Sequence, residues 1–183
     1  MSSIISQFNS SHTHNWELQS GYTTRDGSTA NTSPPVHYNY NTGTVTTTFD
    51  SQGWKQATDL SWARTILYES VHAKLATKFA LDKPNFAGNY PDMVTDYHNW
   101  GNWNGTYHEH MAETIVDQVA TSLEEFRRNR GYSYLTQYYK DLAWGGLHNT
   151  TQFKNKSASE QKRILDTLAV AATGIDTDGS LQP

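Results

Sequence analysis

"ATDLSWARTILYESVHAKLATKFA", residues 57–80, decides how this chain reads. Leu60, Ala63, Leu67, Val71, Leu75 and Phe79 recur at steps of three and four, the spacing of a helix with one apolar stripe. Thr58 stands where a hydroxyl can accept from the first free backbone N–H groups, so the helix is expected from about Thr58 to about Ala80 with its stripe on the core. Tyr68 and His72 are four apart and project from the same face, with Glu69 one step around.

On the N-terminal side, residues 1–35 are polar and end in Pro34-Pro35, which reads as a loosely ordered lead-in. "VHYNYNTGTVTTTFD" then alternates its side chains around Asn41-Thr42-Gly43, a turn signal that predicts a small antiparallel hairpin from Val36 to Phe49. On the C-terminal side, residues 81–107 are irregular and rich in aromatic, Asn, Gly and Pro residues; loops this long in compact domains are functional or disordered, and the aromatic content favours function.

A second helix is expected from His108 to Arg130, with Met111, Ile115, Val119, Leu123 and Phe126 facing inward and Gly131 stopping it. A shorter one spans Ser133 to Trp144 and ends at Gly145-Gly146. Ser157-Ala158-Ser159-Glu160 is a capping box for a last helix through Ile164, Leu165 and Leu168, terminated by Gly174. The expected architecture is α+β and predominantly helical, one domain over 36–175 followed by a tail at 176–183.

A chain of 183 residues can bury a sizeable core. Its net charge of −4, with basic residues scattered apart from Arg127-Arg128-Asn129-Arg130, gives nucleic-acid binding no electrostatic support. Without cysteine there is no thiol nucleophile or Cys-ligated zinc, so a metal must rest on His, Asp, Glu or Tyr. No run approaches the ~18 apolar residues of a membrane span, and the N-terminus lacks the pattern of a signal peptide. The compartment stays open, and a secreted or delivered protein is compatible with all of this.

Tyr68-Glu69-Ser70-Val71-His72 differs by one letter from H-E-x-x-H, in which two imidazoles one turn apart grip a metal and the glutamate takes a proton from metal-bound water. A zinc hydrolase needs three protein ligands and one open position. The third candidate is His108, which opens the apolar stripe of the second helix, whereas His110 lies about 200° further round at ~100° per residue and faces solvent.

Three blocks in order, "ATDLSWARTILYESVHAKL", "HEHMAETIVDQVATSLEEF" and "QYYKDLAWGGL", resemble a largely uncharacterised bacterial family of zincin-like metallopeptidases. Its members read approximately A-R-T-I-x-H-E-x-x-H-A, then H-E-x-x-A, then L-A-W-G-G-L. The resemblance runs from about Val45 to Phe153 and implies a zincin-like fold, a zinc cofactor and a peptide or protein substrate. Residue by residue, it makes Glu69 the general base, His72 a zinc ligand and His108 the third ligand, and it departs at Tyr68, where the family has its first ligand histidine. It also implies that the strand from Gly43 to Phe49 is the edge strand that pairs with an extended substrate. Leu142 to Leu147 has a place only as a structural corner.

Tyr68 leaves three readings open. It binds metal as phenolate, at the cost of deprotonating a group whose free pKa is near ~10; or His72 and His108 hold a weak metal that Tyr68 only hydrogen-bonds; or the pocket serves binding alone, as in a pseudoenzyme, or never held metal. Plainer accounts stand beside each residue. Glu69 is then a solvated helix glutamate, and His72 and His108 are core histidines with satisfied partners. Residues 90–107 offer a different class of function, because Trp100, Trp103 and Tyr107 among Asn and Gly could stack on a glycan or clasp a protein as a noncatalytic module. Packing over the helices is the duller alternative for the same aromatics.

Overall fold

A computed structural model of the chain describes residues 13–23, 29–33, 37–51, 57–82, 115–131 and 134–174, together with positions 5, 8, 109, 111 and 112. Among these residues the elements are β1 (Asn15–Gly21), β2 (Ala30–Thr32), β3 (Thr44–Asp50), α1 (Asp59–Asp82), α2 (Val116–Arg128), α3 (Thr136–Leu142), α4 (Thr151–Lys154) and α5 (Ala158–Thr173). The chain is therefore α+β and mostly helical. It divides into two compact units, one of residues 2–55 and 65–104, the other of residues 1, 56–64 and 105–183.

The sheet of the first unit has the order β1-β3-β2. β1 runs parallel to β3, with Trp16 opposite Val45 and Leu18 opposite Thr47, while β2 is antiparallel, with Thr32 opposite Thr47. Two expectations are corrected here. The loosely ordered lead-in contains both outer strands of the sheet, polar in sequence because Glu17, Gln19 and Asn31 occupy its outward face. The expected hairpin shrinks to one bridge, Asn39 to Thr44, so the sheet is mixed and not purely antiparallel.

The physical reason lies in the side chains of the supposed first arm. Asn39 turns its own Oδ1 onto the N–H groups of Asn41 and Thr42, which closes a turn that Gly43 completes at φ 67°. Tyr38 and Tyr40 send their hydroxyls away to the carbonyls of Thr13 and Ala80. Those two tyrosines anchor the turn to its surroundings and form no ladder with β3.

α1 begins where the sequence places it, with the Ser61 N–H donating to Thr58 Oγ1 at 3.3 Å. Ala73, Ala76 and Ala80 share one stripe of it and build a core cluster with Val45 and Tyr38, onto which Phe8 and Trp16 pack. Small side chains at these steps let a helix lie close against a sheet.

In the second unit Met111, Leu123, Tyr139, Leu142, Leu147 and Ile164 are fully buried. α2 starts at Val116 with Ile115 as its N-cap, eight residues after the expected start; it keeps the expected inward positions Val119 and Leu123, leaves Ile115 and Phe126 half-buried, and is followed by Gly131 at φ 78°. α3 stops at Leu142, two residues before the expected end, and turns carry the chain through Trp144 to Gly146. That corner buries Ala143, Trp144 and Leu147, and the Arg64 guanidinium lies where a side chain at Gly145 would go. Arg64 and Gly145 come from different sequence blocks, so a side chain at position 145 would have to displace the Arg64 guanidinium.

α5 carries the predicted capping box. The Glu160 N–H donates to Ser157 Oγ at 3.3 Å and the Ser157 N–H to Glu160 Oε2 at 3.0 Å, and Gly174 ends the helix at φ 67°. Ser157→Ala is expected to cost about 1 kcal/mol. Denaturant midpoints check it, and Ser157→Asp, which keeps an acceptor, should lose less.

Candidate functional site

Tyr68 and Glu69 are buried, each 9% exposed, and His72 is half-buried, all on the part of α1 that belongs to the first unit. Glu69 is not the solvated helix carboxylate of the plainer account. Thr32 Oγ1 on β2 donates to its Oε2 at 2.5 Å, and the Thr32 backbone N–H also supports the carboxylate. Burial pushes the Glu69 carboxyl up from the usual range, and the two Thr32 bonds pull it back only in part, so its net displacement is upward.

The bonds continue behind Thr32. Its hydroxyl lies 2.6 Å from Thr47 Oγ1, and Thr47 Oγ1 accepts from Trp16 Nε1 at 2.8 Å. Thr47 is fully buried on β3 and Thr32 nearly so on β2. A buried polar row of this kind is stable only when every member is satisfied, which these contacts achieve.

The backbone of β2 explains how one threonine reaches Glu69 twice. Thr29 O accepts from the Asp50 N–H and the Ser33 N–H donates to Thr46 O, so positions 29 and 33 face β3. By the alternation of an antiparallel ladder, the Thr32 N–H points to the outer edge of β2. Glu69 meets the strand there.

This geometry corrects the placement of the substrate-pairing strand. β3 is the middle strand, hydrogen-bonded on both sides, and has no edge to offer. Among the described residues the strand beside Glu69 with an outer edge not paired to another strand is β2. The sequence concealed this because β2 is only three residues long, and the one available signal was a threonine at 47 in the same inward register as Val45.

His108, Trp100, Trp103 and Tyr107 lie outside the described residues. Glu109, next to His108 in sequence, accepts the N–H of Thr151 at 2.8 and 3.0 Å and its hydroxyl at 2.9 Å, fixing the start of α4. Among the described residues no three His, Asp or Glu side chains group closely enough to hold a metal. This segment of α1 brings one imidazole, His72, and one phenol, Tyr68, at helical spacing, so the fit to zinc is partial and rests on a third donor from elsewhere. Comparison of the chain with protein-family models, with characterised proteins and with solved structures finds no match in any of the three.

Proposed function

We propose that the chain is a zincin-like metallopeptidase-type protein whose metal site is altered at Tyr68, with weak or absent peptide-bond hydrolysis. The observation that carries this reading is Glu69: a buried carboxylate beside Tyr68, three residues before His72, aimed by hydrogen bonds from a strand edge. A surface glutamate needs no such support, whereas a proton-transfer group needs a fixed direction and a raised proton affinity. The three sequence blocks point the same way.

In this reading Glu69 takes a proton from the attacking water and passes it on, and His72 and His108 supply imidazole donors. Zinc, when bound, supplies a water of pKa roughly 7 and polarises a carbonyl. The Tyr68 phenol stands where a third imidazole would give more affinity at neutral pH, because a phenol must first lose its proton. An extended peptide is the substrate class of this reading.

Zinc titration of the purified chain tests this. Binding is expected, weakened about tenfold or more by His72→Ala, since even partners behind a ligand are worth that much. No zinc binding, or binding indifferent to His72→Ala in a variant as stable as the parent, would shift the reading to a noncatalytic module.

A further inference from the structure

We propose that Thr32 is the positioning residue of this site, holding one oxygen of Glu69 through a one-way hydrogen-bond relay that begins at Trp16. The inference rests on reading Glu69 as the base. The direction of the relay follows from proton inventory. A threonine hydroxyl has one proton, and an indole nitrogen donates only. Thr32 Oγ1 gives its proton to Glu69 Oε2, so the Thr47 hydroxyl must donate to Thr32, and Trp16 Nε1 must donate to Thr47.

Geometry makes the relay stiff. Thr32 and Thr47 sit opposite each other on paired strands, and β-branched side chains there have restricted χ1. Glu69 Oε2 is thereby committed to the strand. Trp16 is itself packed against Phe8 with ring centroids 5.5 Å apart, so the far end of the relay is fixed as well. A carboxylate on a helix alone would keep its rotamer freedom; here one oxygen is held from the sheet.

Thr32→Val keeps the shape and removes the hydroxyl, and Thr32→Ser keeps the hydroxyl. Two readouts on the full chain separate positioning from activity. With zinc added and a fluorogenic peptide mixture as substrate, Thr32→Val is expected to lower kcat by about 10- to 100-fold, with KM within about twofold and most of the loss restored by Thr32→Ser. In ¹H–¹⁵N spectra at one pH, the Trp16 indole resonance, assigned by Trp16→Phe, is expected to move in Glu69→Gln and in Thr32→Val and to stay in Thr32→Ser. A Trp16 resonance indifferent to both Glu69→Gln and Thr32→Val overturns the relay, with or without activity. Unchanged kcat in Thr32→Val overturns the positioning role. Spectra that respond as expected in a chain that hydrolyses nothing support the relay and remove hydrolysis from the functional reading.

Discussion

Glu69→Gln is expected to unfold at a higher temperature than the parent chain at pH 8, with the gap closing as the pH is lowered. The sign follows from the direction of the carboxyl shift. Burial raises the proton affinity of Glu69 in the folded chain above that of the unfolded chain, so over the interval between the two values the folded state binds more protons. Stability from this group is then greatest in acid and falls as pH rises through the folded value. Above that value the full cost of burying the charge stands. Glutamine presents an oxygen to Thr32 without the charge and removes this slope. Thermal melts from pH 4 to 8 check it, and parallel curves for the two proteins would show that the carboxylate is not buried as described.

Arg163→Ala is expected to destabilise the second unit by about 2 kcal/mol. Asp141 on α3 is 3% exposed and takes Arg163 of α5 on both oxygens, Nε at 2.7 Å and Nη2 at 3.1 Å, with Gln137 Nε2 at 2.8 Å as a third donor. Removing one partner of a fully buried pair costs about 3–5 kcal/mol because a charge is left without compensation. Arg163 is itself 46% exposed, so water takes over part of the lost contact and the expected cost is reduced. A double-mutant cycle with Asp141→Asn, read by denaturant unfolding, should give a coupling of about 1 kcal/mol or more. Additive effects would mean the pair contributes nothing beyond its two side chains.

What the sequence revealed were the features written locally. The period of α1, the hydroxyl of Thr58, the box from Ser157 to Glu160 and the stop at Gly174 all depend on residues within one or two turns of each other. The strands depended on distance. β1 pairs with β3 in parallel, Asn15 opposite Thr44, and no turn residue announces a partner that far along the chain. Thr47 reads as polar and is fully buried, because its hydroxyl is consumed by Trp16 and Thr32.

The candidate site was legible in the same uneven way. Helical spacing put Tyr68, Glu69 and His72 on one segment, and α1 does carry them. That Glu69 is held from a sheet edge could not be read, since Thr32 belongs to a three-residue strand inside a stretch that looked like a lead-in. Arg64 above Gly145 likewise joins two blocks that sequence alone showed only in order.

The most direct measurement is the zinc affinity of Tyr68→His against that of the parent chain, by competition with a chelator at pH 7. If the phenol occupies a ligand position beside His72, supplying an imidazole there should tighten zinc by about tenfold or more. Equal affinities, in a variant folded as well as the parent, would contradict a metal site at this face of α1.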